Sequence, residues 1–265
     1  MKIKFLLFCC VPVLFSAQTV LTLEDIWGKF AYRAAAPSDV HILKNGLHYT
    51  KIEETPSGDA ELVSYDIKSN RKLQVLVSAN DLKTPKGHYL DLSTYEFSPD
   101  ETKMLLYDNA ESVYRHSMYA CYYVYDFKSK RLIPLRVGNK QMLPRFSPNG
   151  ASIAYVSDNN LYIDQLNTST TFTVTKDGSW NSIKNGWADW VYEEEFSKPD
   201  YFCWSENSAY LAYVRFDESQ VATYQLDFYQ GQLYPKAYTF KYPKAGMQNS
   251  KVSVHVYNTR SQQTQ

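Results

Sequence analysis

Glycine is scarce in this 265-residue chain, ten in all, and no two lie four positions apart. That spacing excludes G-x-S-x-G, the sharp strand-to-helix turn that lifts a nucleophilic serine out of an α/β-hydrolase sheet. Phosphate-cradling glycine loops, H-E-x-x-H and C-x-x-C are missing as well. The five histidines (His41, His48, His88, His116, His255) are scattered, and their spacing supports no nucleophile–base pair and no metal site. Neither sign of charge is in excess: Lys plus Arg and Asp plus Glu are 28 each. A nucleic-acid or anionic-membrane binder would carry a basic patch, so those classes are excluded. The apolar run Phe5 to Phe15 is eleven residues long and interrupted by Pro12, too short to span a bilayer. Cysteine is rare too. Cys9 and Cys10 fall in that run, leaving Cys121 and Cys203. They could form one disulfide, but both sit in apolar, strand-like stretches where two buried free thiols are expected.

What is present points to sheets. The chain is 44% hydrophobic and 15% aromatic with 23 Tyr, enough for a sizeable core rich in strand-favouring residues. Met1-Lys2-Ile3-Lys4, the apolar run and Ser16-Ala17 read as a signal peptide over residues 1–17, predicting an exported protein, periplasmic or secreted. Residues 18–37 form a lead-in in which Thr22 is placed to cap a short amphipathic helix.

From residue 38 onward the chain repeats itself. Tyr65-Asp66-Ile67-Lys68-Ser69 recurs as Tyr125-Asp126-Phe127-Lys128-Ser129 and Tyr257-Asn258-Thr259-Arg260-Ser261. Phe97-Ser98-Pro99-Asp100 recurs as Phe146-Ser147-Pro148-Asn149 and Trp204-Ser205-Glu206-Asn207. Each copy of the second unit leads into an apolar run: Met104–Tyr107, Ile153–Val156 and Leu211–Val214. Pro with Asp or Asn sets a turn, the apolar run is an inner strand, and Tyr-Asp-x-Lys-Ser closes the next hairpin. A β-sandwich with coincident turns is one architecture that fits. Repeats of 49 and 58 residues favour propeller blades, the longer one holding an insertion. The expected fold is therefore all-β: a partial propeller of about four blades, each a four-stranded antiparallel sheet.

The longer repeat contains Asp189-Trp190-Val191-Tyr192-Glu193-Glu194-Glu195-Phe196. An acidic turn at a helix start is one reading. The other is a cation site, because carboxylates between aromatic walls are partly dehydrated. At an effective dielectric near 20, a unit pair about 4 Å apart is worth roughly 4 kcal/mol, against about 1 in water. A peptide α-amino group is a suitable cation. Arg115, in Ser112-Val113-Tyr114-Arg115-His116-Ser117, reads from the residues alone as a loop arginine paired to an acid.

Asp189–Glu195, the run Cys203–Phe216, Arg115-His116-Ser117 and Lys241-Tyr242-Pro243-Lys244-Ala245-Gly246 together resemble the dipeptidyl peptidase IV family of serine exopeptidases. The resemblance covers nearly all of the chain after the leader. It implies that the acidic motif lies on a short helical insertion of an N-terminal β-propeller. Glu194 and Glu195 would then hold the free amino terminus of a peptide substrate and Arg115 a carbonyl oxygen, while Glu193 has no direct ligand role. It further implies release of Xaa-Pro or Xaa-Ala dipeptides, a homodimer in the full-length form, and no cofactor or metal. Glu206 departs from the usual Pro of the turn, and the segment after Glu195 is about one residue short. With no nucleophile elbow and four blades that do not close a ring, residues 38–265 read as the N-terminal part of such a propeller, inactive alone. A non-catalytic periplasmic propeller that binds peptides or partner proteins is the alternative, as is a sister prolyl oligopeptidase of different specificity.

Overall fold

A computed structural model describes residues 21–34, 40–93, 95–138, 140–168 and 170–265. The signal-peptide expectation falls outside these residues. The chain divides into two compact units between Ser38 and Asp39. In the first, the lead-in forms one π-helical turn, Glu24–Gly28. Thr22 does receive the Asp25 amide, at 3.1 Å. The expected short helix is thus a single five-residue turn without a buried face: Leu23, Ile26 and Trp27 are all exposed. So short a helix has little stability of its own.

The second unit is a series of antiparallel sheets, each made by the next stretch of chain. The strands β1 (Val40–Ile42), β2 (His48–Glu54), β3 (Ala60–Asp66) and β4 (Lys72–Val77) form the first. The second holds β5 (Glu96–Phe97), β6 (Lys103–Ser112), β7 (Met118–Asp126) and β8 (Arg131–Pro134). The third holds β9 (Met142–Phe146), β10 (Ser152–Ser157), β11 (Asn160–Gln165) and β12 (Thr171–Thr173). Strand order follows chain order in all three, the meander of a propeller blade.

The fourth blade is interrupted twice. Its inner edge is split into β13 (Ile183–Asn185) and β14 (Phe202–Trp204), both paired with the same strand, β15 (Tyr210–Asp217). Helix α1 (Trp190–Phe196) lies between the two halves. A hairpin of β16 (Thr223–Phe228) and β17 (Lys236–Lys241) then precedes β18 (Lys251–Asn258) and β19 (Gln263–Thr264).

The turn repeats work through side-chain bonds to nearby backbone, which is why they recur. Asp66 and Asp126 accept the amides of Ser69 (2.8 Å) and Ser129 (2.7 Å), and Asn258 accepts that of Ser261 (3.1 Å). Ser98, Ser147 and Ser205 donate to Asp100, Asn149 and Asn207 and accept the amides of Lys103, Ser152 and Tyr210. Glu206 in place of Pro leaves that pattern intact.

The core lies between successive sheets rather than within one. Leu62 and Val77 of the first pack with Met104, Leu106 and Tyr125 of the second. Leu105, Tyr122 and Val124 pack with Ile153 and Tyr155 of the third. Val156 and Leu161 meet Trp187, Leu211 and Tyr213 of the fourth. Central strands are therefore buried on both faces, as in β10, where Ile153 to Ser157 are all buried. Cys121 and Cys203 are not joined, but the expectation of two buried thiols needs correction. Cys203 is exposed and Cys121 half-buried, because strand alternation turns Cys203 outward between Phe202 and Trp204.

Candidate functional site

Helix α1 begins where Asp189, its N-cap, accepts the Tyr192 amide at 2.9 Å. The other oxygen of Asp189 takes a short hydrogen bond from Ser250, ahead of β18. Ser197, with φ 51°, ends the helix in a left-handed conformation. Aromatic contacts fix the sides of the helix: Trp190 lies 4.5 Å from the Tyr242 ring, and Tyr192 lies 4.9 Å from Phe216.

Three consecutive glutamates on a helix point about 100° apart and cannot share one environment. Glu193 is fully buried. Its Oε1 accepts the amides of His116 (2.7 Å) and Ser117 (2.8 Å) from the loop between β6 and β7, although 77 and 76 positions separate the partners. Glu194 keeps 15% of its side chain exposed, and its Oε2 pairs with Arg115 Nε at 2.9 Å. Glu195 is exposed and, among the described residues, has no ion pair. The structure thus brings Arg115 to Glu194, with Glu195 next on the helix.

The Arg115 side chain is 72% exposed, so its pair with Glu194 contributes little to stability, about 0–1 kcal/mol. The backbone beneath it is held from both sides. Glu193 grips the amides that follow Arg115. The preceding residue, Tyr114, stacks on Trp187 with ring centroids 6.1 Å apart and lies tilted against Trp180 at 6.2 Å. Lys184 of β13 donates to the Tyr114 hydroxyl at 2.9 Å. Its ammonium lies 3.5 Å from Glu218, and both side chains are buried. Burial pushes Lys184 below its ordinary value, while Glu218, Asp189 and Glu193 oppose that shift. Burial also raises Glu218 and Tyr114, so the Tyr114 hydroxyl stays protonated.

Sequence reasoning assigned Glu193 no ligand role and did not single out Lys184. Three adjacent acids do signal that one must point inward, but nothing in the sequence names the amides it meets. No group of His, Cys, Asp or Glu able to hold a metal occurs among the described residues. Chemically, one guanidinium meets the Glu194 carboxylate, and the exposed Glu195 carboxylate follows it on the helix. Arg115 uses Nε on Glu194, and its terminal nitrogens make no ion pair among the described residues.

Comparison with known proteins sets the sequence and fold of the chain beside the N-terminal regions of dipeptidyl peptidases. Residues 98–265 match the family described as the dipeptidyl peptidase IV (DPP IV) N-terminal region. The chain belongs to that family. Human prolyl endopeptidase FAP is 32% identical over 252 residues, 92% of this chain and 31% of the relative. Dipeptidyl peptidase 4 of Trichophyton tonsurans is 38% identical over 216 residues, 78% of this chain and 26% of the relative. The crystal structure of Porphyromonas gingivalis dipeptidyl peptidase 4 superposes with a TM-score of 0.80 at 36% identity, over 94% of this chain and 35% of that one. This chain spans about a third of the length of these relatives or less.

Proposed function

We propose that the chain is the substrate-recognition part of a dipeptidyl peptidase IV-like serine exopeptidase, in which Glu194 and Glu195 bind the free amino terminus of a peptide and Arg115 a backbone carbonyl. The observation that carries this reading is the 2.9 Å pair between Arg115 and Glu194 beside the exposed Glu195. The exposed Glu195 carboxylate suits an α-ammonium, and the terminal nitrogens of Arg115 suit a carbonyl oxygen. Two extended residues span about 7 Å, so an anchored amine sets the second peptide bond at a fixed distance from the site. Such positioning replaces entropy that the reaction would otherwise lose in its transition state. It sets the length of the released product at two residues, while Pro or Ala in second place rests on the resemblance to the family. The attacking group belongs to a hydrolase domain outside residues 38–265, the N-terminal propeller part. Export to the periplasm or secretion through residues 1–17, and pairing of two copies, belong to the same reading. The exposed apolar side chains of the β16–β17 hairpin support that pairing.

The test is calorimetric titration of the chain with a free-amine dipeptide ending in proline and with its N-acetyl form. Binding of the free amine alone is expected. Equal binding of both forms would reject the amine anchor.

A further inference from the structure

Lys184 occupies the middle of β13, between Ile183 and Asn185, on a strand buried along its length. The register calls for an apolar side chain there. Taking an ammonium out of water costs several kcal/mol unless partners compensate, so its surroundings indicate its use. Its Nζ lies 4.1 Å from the Trp187 ring centroid, 4.8 Å from Tyr114 and 5.1 Å from Trp180. Three rings thus enclose one cation. Glu218, at the end of β15, supplies the counter-charge, and the one hydrogen bond from Lys184 to a ring substituent goes to Tyr114. Trp187 stands two residues before the cap of α1, and Tyr114 immediately before Arg115. Lys184 therefore joins the base of the glutamate helix to the arginine loop on the side opposite in sequence to the Glu193 clamp.

We propose that Lys184 is a positioning residue for peptide recognition: caged by Tyr114, Trp180 and Trp187 and paired with Glu218, it fixes Tyr114 and thereby sets Arg115 against Glu194. This rests on the reading of Arg115, Glu194 and Glu195 as the amino-terminus site. A role in core stability alone predicts something different, and a mutational cycle separates the two.

The K184M/E218Q variant removes the cation together with its ion-pair partner, so neither member of that pair is left behind alone. It is made in the full chain, alone and with R115A, and each form is melted and titrated with the free-amine and N-acetyl dipeptides. The double variant is expected to melt near the wild type and to bind the free-amine dipeptide about tenfold more weakly, in line with the loss of one buried hydrogen bond. R115A is expected to cost much less in that background than in the wild type, since coupled residues are non-additive. Undiminished binding in K184M/E218Q, or a full, additive R115A effect, overturns the proposal while leaving the amine site standing. Failure of the wild type to prefer the free amine removes the amine site and the proposal with it. Y114F keeps the ring and deletes only the hydroxyl, so it runs the same cycle should K184M/E218Q not fold.

Discussion

The fourth blade carries two insertions, and they are built in opposite ways. The segment around α1 is tied down by buried polar groups: Asp189, Glu193 and Lys184 are all buried, each with a partner distant in sequence. The β16–β17 hairpin is tied down mainly at its base. Asn181 donates to the Thr239 carbonyl at 3.3 Å, Phe240 packs on Trp190, and Lys241 donates to the Val221 carbonyl at 2.7 Å. Every residue of β16 is exposed, and Leu233 at the hairpin tip is 84% exposed. One insertion uses its contacts to hold charged side chains in register. The other offers apolar surface outward. Polar groups buried at a site demand specific partners and so fix geometry, whereas an exposed apolar face is permissive about what covers it.

Substitutions at four places sharpen this contrast. The largest effect is expected at the carboxylates themselves. E194A or E195A, placed in a protein that also carries the hydrolase domain, should lower turnover efficiency on free-amine dipeptide substrates about 100-fold, the scale on which truncating one member of a desolvated charge pair acts. Steady-state kinetics check this, and a loss within threefold would count against the anchor. Next is E193A, which strands the His116 and Ser117 amides. A loss of about 1–3 kcal/mol per stranded group is expected in urea denaturation, and E193Q, which keeps an acceptor oxygen, should recover most of it. R115A should weaken dipeptide binding about tenfold yet leave stability within about 0.5 kcal/mol, because the Arg115 side chain is exposed. The smallest stability change is expected on the hairpin. L226K and L233S should also stay within about 0.5 kcal/mol, with any effect confined to association in sedimentation velocity. If L226K and E193A proved equally destabilising, the contrast between the two insertions would be lost.

Proton chemistry tests the ligand side. A peptide α-amino group titrates near 8, and its cation is what the carboxylates attract. Dipeptide affinity should therefore hold below about pH 7 and fall as pH rises through 8. Titration at several pH values with the free-amine dipeptide, using a permanently charged N-trimethyl analogue as control, would show whether the fall follows the ligand.

The propeller was legible because its signals are local. Ser98, Ser147 and Ser205 close turns within five residues, and Asp66 and Asp126 within three, so each leaves its mark in a short window. The acidic motif was legible as a resemblance. What sequence could not convey was the division of labour within it. Which of Glu193, Glu194 and Glu195 faces inward depends on helix phase relative to a loop more than 70 positions away. Lys184 was invisible for a related reason. A lysine in sequence reads as surface, and only the convergence of Trp180, Trp187 and Tyr114 makes a buried place for it. Cys203 and the lead-in turn failed in the other direction, since an apolar neighbourhood in sequence does not say which face of a strand or turn is covered.

The split inner edge of the fourth blade behaves like a suture. Ile183 to Asn185 and Phe202 to Trp204 keep separate, regular registers on the same strand. The gap is closed by three backbone bonds: Gly186 to Val214 at 2.9 Å, Tyr201 to Gly186 at 2.9 Å and Val214 to Tyr201 at 2.8 Å. Gly186 sits at φ +76°, and a Cβ there would come within 2.8 Å of Leu161, so the stitch admits no larger residue. Everything from Trp187 to Asp200 hangs from that closed neck. Lengthening such a loop costs only about 0.6 kcal/mol per doubling, and the blade beneath does not have to re-register. A change of length within the segment is thus absorbed beyond the neck, while the register of the sheet that carries it stays the same.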